Sequence, residues 1–319
     1  MENNFDFLTD RDKKLLHLLG KCGVLRTDQA KLIYDGVRKY HLRRIEKLAS
    51  KGMIVREHGY IRPTSRGLQA AGFEGRPIRV KKHQYKDRVL AVDVLSNFQD
   101  WEIEYAIELK RREVVERRSQ ISAVISKGSL QYGVYIQAHT PRPSTVCFLQ
   151  SEMRELHMAG IERVIIFYLT SDYTEVFDKA PDYIKECCLL PYPAGVNSFK
   201  RIFSQDFRAF INQRFPGLKP CRRPFAHFQW QGKYITVMHN NDLVKRQALI
   251  DYLTYAQKRE SRPCIIVCAP SQAQEISNLF QEYEMELIID EGTDTEIQKP
   301  SATQKENNFR SLAHYPIHF

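Results

Sequence analysis

Several features that would assign a function quickly are missing from this chain. In 319 residues no apolar run approaches the roughly 18 residues of a membrane span. The opening Met1-Glu-Asn-Asn lacks the basic-then-apolar plan of a secretory signal. No membrane partner is expected, and the expected location is the cytoplasm. No Gly-x-x-x-x-Gly-Lys-Ser/Thr loop occurs, which excludes a nucleotide motor of the usual kind. The seven cysteines, an odd number with Cys187 and Cys188 adjacent, make no disulfide framework. With no Cys-x-x-Cys and no Cys/His pair at ligand spacing, they are expected to be reduced, buried small hydrophobes rather than zinc ligands. His314-Tyr-Pro-Ile-His318 has the wrong spacing for the paired histidines of a strand-nicking relaxase. No metal and no cofactor are expected.

What the chain does have is positive charge. Its formal net charge is +10, and most of the excess of Lys and Arg falls in the first 80 residues. An anionic partner fits that balance. The charge sits with the most informative stretch, Val37 to Gly52. Projected at about 100° per residue, Leu42, Ile45, Leu48 and Ala49 form an apolar stripe, with Lys39, Tyr40, Arg43, Arg44 and Lys47 opposite. A helix with a core-facing stripe and a cationic back suits a major groove.

The flanks extend this pattern. Thr9 caps a first helix carrying Leu15, Leu16, Leu18 and Leu19, broken by Gly20 and Gly23. Thr27 is expected to cap a second helix over residues 28–34, whose Ala30, Ile33 and Tyr34 face inward, with Asp35-Gly36 as the turn into the basic helix. Met53 to Arg56 and Tyr60 to Pro63 are strand-like around His58-Gly59, a turn pair that supplies positive φ. Arg56, His58 and Arg62 decorate this hairpin, and Thr64 caps a closing helix that ends near Gly72. The order predicts a winged helix-turn-helix over residues 1–75, with Lys39, Tyr40, Arg43, Arg44, Lys47, Arg56, His58 and Arg62 as DNA-contacting candidates.

A basic, Pro77-bearing linker is expected at residues 76–82. Residues 83–218 then predict a helix to Phe98, a strand from Trp101 to Leu109, and strands at 121–125 and 130–137 around Lys127-Gly128. Further on come a helix at 151–158, an apolar strand at 163–168 and a short helix at 172–179. Residues 219–291 form a C-terminal α/β unit: a hairpin turning at Gln231-Gly232, a helix from about Asn241 to Ala256, a strand at Cys264–Cys268, a helix at 272–283 and a strand at 285–289. This faint repetition of strand, helix, strand, helix raises a degenerate duplication. The polar tail at 292–319 is expected to be disordered. The fold class is mixed, α+β with α/β units.

The catalytic question turns on Glu108-Leu-Lys110, a Glu-x-Lys match with Asp93 fifteen residues upstream and Glu104 nearby. A Mg²⁺-dependent nuclease of the PD-(D/E)xK kind needs two converging carboxylates and a lysine that positions water. On a strand at 101–109, Glu102, Glu104, Ala106 and Glu108 share one face, which keeps that alternative open. Against it, Asp93 lies in a helical pattern, and the hairpin strands offer Gln120, Ser122 and Gln137 where carboxylates are needed.

Leu8-Thr-Asp-Arg-Asp12, Leu15-Leu16, Leu25-Arg-Thr-Asp-Gln29, Leu32-Ile-Tyr34, Leu42 to Leu48 and Tyr60 to Gly67 together resemble the opening of the replication-relaxation family. The resemblance is fairly specific over residues 8–72, looser to about 170, and absent beyond about 180. It implies a DNA-binding protein of a plasmid or integrative element, acting at an origin or promoter in replication, relaxation or transfer, with a middle domain of restriction-endonuclease-like outline. The expected function is non-enzymatic DNA binding. The alternatives are the nuclease using Glu104, Glu108 and Lys110, and an adaptor whose winged helix docks a protein. Expected partners are double-stranded DNA and a replication or transfer protein, with a homodimer as an option.

Overall fold

The computed structural model of the chain describes residues 5–34, 39–140, 142–170 and 173–293. It is a mixed α/β structure with one three-stranded and two five-stranded sheets. The chain divides into two compact units, the first reaching Tyr192 and taking back Asn240–Tyr255, the second comprising Pro193–His239 and the chain from Ala256.

The first unit opens with α1 (Asp10–Cys22). Thr9 and Asp12 make a reciprocal capping box, and Gly23, at φ 84°, closes the helix. Gly20 does not break α1: it lies inside the helix, where a Cβ would stand 2.7 Å from the Phe73 ring, so glycine admits that aromatic contact. After β1 (Leu25–Arg26), a 3₁₀ turn at Asp28–Ala30 leads into α2 (Lys31–Tyr34). Thr27 does not cap this turn; its hydroxyl donates to the Gly59 carbonyl at 2.8 Å, tying it to the hairpin. The expected Asp35-Gly36 turn, with Val37 and Arg38, lies outside the described residues.

Helix α3 spans Tyr40–Ser50. The hairpin of β2 (Ile54–Glu57) and β3 (Tyr60–Pro63) turns at His58 and Gly59 with φ 48° and 84°. Helix α4 (Ser65–Ala70) is capped by the Thr64 hydroxyl. Strand β1, too short to show a sequence pattern, pairs antiparallel with β3 and completes the order β1-β3-β2. Leu15, Leu16, Leu19, Tyr34, Ile45, Leu48, Met53 and Ile61 form the core of this region.

The expected linker is not a free tether. Val80 is buried with Val24, Tyr85 and Val89, and Ile78 packs on the same cluster. Helix α5 (Tyr85–Leu95) is buried at Tyr85, Val89, Val92, Val94 and Leu95, and Val92 joins the core of the N-terminal helices.

The first five-stranded sheet follows: β4 (Glu102–Tyr105), β5 (Ala123–Lys127), β6 (Leu130–Gln137), β7 (Arg163–Tyr168) and β8 (Glu186–Pro191), in that spatial order. The β4–β5 and β5–β6 pairs are antiparallel, the β6–β7 and β7–β8 pairs parallel. Helix α6 (Ala106–Arg111) follows β4, and α7 (Pro143–Met158) and α8 (Tyr173–Val176) make the two crossovers. The predicted strand at 101–109 is thus half strand and half helix. Helix α7 starts eight residues earlier than its sequence pattern indicates, and β8 was not visible in that pattern.

The second unit begins with α9 (Ala194–Arg201) and α10 (Gln205–Arg214). Its sheet runs β9 (Lys219–Pro220), β10 (Phe228–Trp230), β11 (Lys233–Val237), β12 (Cys264–Cys268) and β13 (Met285–Ile289) in spatial order. Two antiparallel pairs are again followed by two parallel ones. The two large sheets therefore share strand order and strand direction. Phe207, Ile211 and Phe215 of α10 share a core with Ile235, Val237, Ile265 and Val267, so this unit starts near residue 193 rather than at the expected 219.

Helix α11 (Leu243–Asp251) lies in the first unit. Leu243 belongs to that unit's core, and Asp242 accepts the backbone N–H of Cys187 at 3.0 Å. In the second unit α12 (Gln257–Glu260) precedes β12, and α13 (Ala273–Leu279) makes the last crossover. Among the described residues no helix is long and apolar enough to cross a membrane.

Candidate nucleic-acid interface

Helix α3 places the basic candidates unequally. Ile45 and Leu48 are fully buried, and His41 takes an inner position that the sequence pattern gave to Leu42. Leu42 turns outward, 38% exposed. Lys39, Arg43 and Lys47, spaced by four, form an exposed cationic row. Lys39 holds a left-handed conformation at the helix start, and Lys47 lies 5.9 Å from the Phe7 ring centroid.

Two candidates on α3 face the protein. Tyr40 is half-buried, edge-on to Tyr34 at 5.8 Å and packed on the core. Arg44 is bound to a fully buried Asp12: its Nη2 and Nε donate to the carboxylate, and Nη2 also reaches the Phe7 carbonyl at 3.1 Å. The same carboxylate accepts from the Tyr34 hydroxyl at 2.6 Å and from the Thr9 N–H at 2.7 Å. Burial works to raise the Asp12 pKa, but the bonds from Arg44, Tyr34 and Thr9 prevail and hold it below the ordinary carboxylate value. Arg44 is an internal counter-ion that locks α3 onto α1. Asp12 was readable as a capping acid, but its second role was not; the available signal was a carboxylate in the a/d-like row of Leu15, Leu16 and Leu19.

On the hairpin, Arg56 and His58 are exposed. Arg62 is half-buried, donates to Glu57 at 3.3 Å and lies over the Tyr85 ring. Glu57 also pairs with Lys82 at 2.6 Å, so the residues of the expected linker abut the hairpin. The exposed set is therefore Lys39, Arg43, Lys47, Arg56 and His58. Tyr40, Arg44 and Arg62 are held by neighbours.

Each residue of the nuclease alternative is engaged by a partner of its own. Glu104, on β4, is paired with Arg112. Glu108 sits on α6, where its carboxylate caps the Tyr105 N–H at 2.9 Å and pairs with Lys21 at 2.9 Å. Lys110, two residues on along the helix and so pointing elsewhere, donates to the Ser119 carbonyl at 2.8 Å. The strand face on which the alternative rested stops at Glu104, because the chain leaves the strand at Tyr105 and carries Glu108 onto α6. Asp93 is also committed: Arg26 grips both its oxygens at 2.9 and 3.2 Å, and Gln29 donates to it at 2.7 Å. Of the hairpin residues, Gln137 accepts from the Tyr173 hydroxyl at 2.9 Å, and the Gln120 N–H donates to Glu152 at 2.6 Å.

Glu152 is a buried acid that the sequence pattern did not single out. It also takes the Ser119 hydroxyl at 3.1 Å, and burial raises its pKa. In the second unit, Asp290 is held by Arg201 at 2.9 and 3.0 Å and by His239 at 3.1 Å. Both His239 and Asp290 are essentially inaccessible, so the pair staples strand ends rather than meeting a substrate. Among the described residues no three or more His, Cys, Asp or Glu side chains are grouped to hold a metal ion. The seven cysteines are free; five are buried as expected, whereas Cys147 is exposed and Cys221 partly so. Set against known proteins, the chain matches no protein family, no curated protein and no solved structure.

Proposed function

We propose that residues 5–72 are a winged helix-turn-helix that binds double-stranded DNA, with α3 as recognition helix and the β2–β3 hairpin as wing. The observation that carries the reading is the exposed row Lys39, Arg43 and Lys47 on a helix whose opposite side is locked into a three-helix core, beside a hairpin exposing Arg56 and His58. Cations held on a rigid helix neutralise phosphates without first having to be ordered. Following the resemblance to the replication-relaxation family, the chain acts without catalysis at an origin or promoter of a plasmid or integrative element. The two five-stranded sheets, alike in order and direction, then represent a degenerate duplication of a nuclease-like scaffold that contributes shape rather than metal chemistry.

The test is a salt titration of binding to duplex DNA by fluorescence anisotropy. Each neutralised phosphate contributes a log–log slope of about −0.9. Arg43→Ala with Lys47→Ala should lower the magnitude of the slope by about 2. An unchanged slope would move the DNA to another surface. No duplex binding by the folded protein would favour the protein-docking adaptor.

A further inference from the structure

The outward face of α3 carries an acid that its basic neighbours obscure. Successive residues step by about 100°, so with Ile45 and Leu48 inside, the residues directed furthest outward are Lys39, Arg43, Glu46 and Ser50. Lys47 flanks them on one side and Leu42 on the other. Glu46 is exposed, and its carboxylate makes no hydrogen bond or ion pair with any described residue.

Such a carboxylate is unfavourable against any phosphate backbone, because it subtracts from the charge that Lys39, Arg43 and Lys47 supply. The loss is offset only where a base edge offers a donor. In the major groove these donors are the amino groups of cytosine and adenine, and the carboxylate pairing with cytosine N4 is the established geometry. Leu42 lies four residues before Glu46 on the same side of the helix, about 6 Å along the axis at 1.5 Å per residue. Its exposed side chain suits a thymine methyl, one or two base pairs away at about 3.4 Å per pair.

Resting on the winged-helix reading, we propose that Glu46 is the discriminating residue of α3, accepting from a cytosine amino group and penalising other DNA, with Leu42 reading a neighbouring thymine. Wild type, Glu46→Ala and Leu42→Ala proteins are each taken through selection from a duplex library carrying about 20 randomised base pairs, and the winners are measured by anisotropy beside random duplex. The wild type should enrich a motif with a fixed C·G pair. Glu46→Ala should lose preference at that pair, with affinity for the motif down roughly 5- to 150-fold and affinity for random duplex raised. Leu42→Ala should lose preference at an adjacent or next-but-one T·A pair. Both side chains are exposed, so thermal melting should match the wild type. A Glu46→Ala protein that enriches the same motif with the same strength overturns the proposal and leaves DNA binding standing, as does a wild type that binds duplex but enriches nothing. A wild type that binds no duplex overturns the winged-helix reading and this proposal together.

Discussion

Replacing Arg44 by alanine separates a structural arginine from a DNA-contacting one. In the native protein the side chain of Asp12 is fully buried, and Arg44 supplies the cation that faces it. Truncation leaves a buried carboxylate without that cation, a change that typically costs about 3–5 kcal/mol. The bonds from Tyr34 and Thr9 remain and favour the lower part of that range. At roughly 2–4 °C per kcal/mol for a unit of this size, melting should fall by about 6–15 °C. The two tryptophans, Trp101 and Trp230, lie in different units, so a Trp230→Phe background lets buried Trp101 report the first unit by fluorescence. The pH response has a definite sign. Asp12 is held below its ordinary 3.8, so its contribution is present above that value and lost as pH falls through the lowered one. Without Arg44 the pKa rises and the acid-side loss of stability begins at higher pH. Replacing both partners, Asp12→Asn with Arg44→Met, should cost less than Arg44→Ala alone, since no charge is then stranded. If Arg44→Ala melts within about 1 kcal/mol of wild type and flattens the salt dependence of DNA binding as Arg43→Ala does, Arg44 is a phosphate contact and the reasoning fails.

Two further outcomes follow from the acids. Burial, then the Glu186 charge, pushes the Asp242 carboxyl up to about 6, so the first unit gains stability from its protonated form below 3.8 and loses it as pH rises through about 6. Asp242→Asn keeps the Oδ1 acceptor for Cys187 and Val244; urea melts across that window should flatten, with a gain on the order of 1–3 kcal/mol at neutral pH, and an unchanged pH profile would refute the assignment. Millimolar Mg²⁺ or Mn²⁺ should shift melting by about 1 °C or less, since binding at a Kd equal to the ligand concentration contributes only RT ln 2, about 0.4 kcal/mol. A larger shift abolished by Glu108→Gln, or nicking of supercoiled plasmid, would restore the nuclease alternative.

What the sequence made legible was local. Thr9 and Thr64 cap because their hydroxyls find N–H groups three residues on, and His58-Gly59 and Gln231-Gly232 turn because positive φ is needed at adjacent positions. The segment 101–109 failed for an equally local reason. Ile103, Tyr105, Ile107 and Leu109 alternate as a strand would, but the core takes Ala106 and Leu109, three apart, and Glu108 seals the switch by capping Tyr105. Strand β8 was obscured because Cys187, Cys188, Leu189 and Leu190 are all buried and so show no alternation. The Asp12–Arg44 pair was out of reach because each residue suited its own helix, one as a capping acid and the other as a surface cation. Only the approach of α1 to α3 makes them partners.

The largest departure concerns residues 76–95. Within it, Pro77 and the cations of residues 76–82 read as a tether between independent domains. In the structure Val80 fills a cluster with Val24, Tyr85 and Val89, while Arg26 and Gln29 clamp Asp93 from the N-terminal side. Helix α5 contributes Val92 to the core of the N-terminal helices and also touches β6 of the first large sheet. A helix buried on more than one side has no apolar stripe, which is why periodicity alone could not say that it joins two layers. The consequence for the proposed function is geometric. With α5 wedged between them, the row Lys39, Arg43 and Lys47 and the sheet β4–β8 belong to one compact unit. In the proposed reading, the fold rather than a flexible linker sets the orientation of the α3 row relative to the sheet.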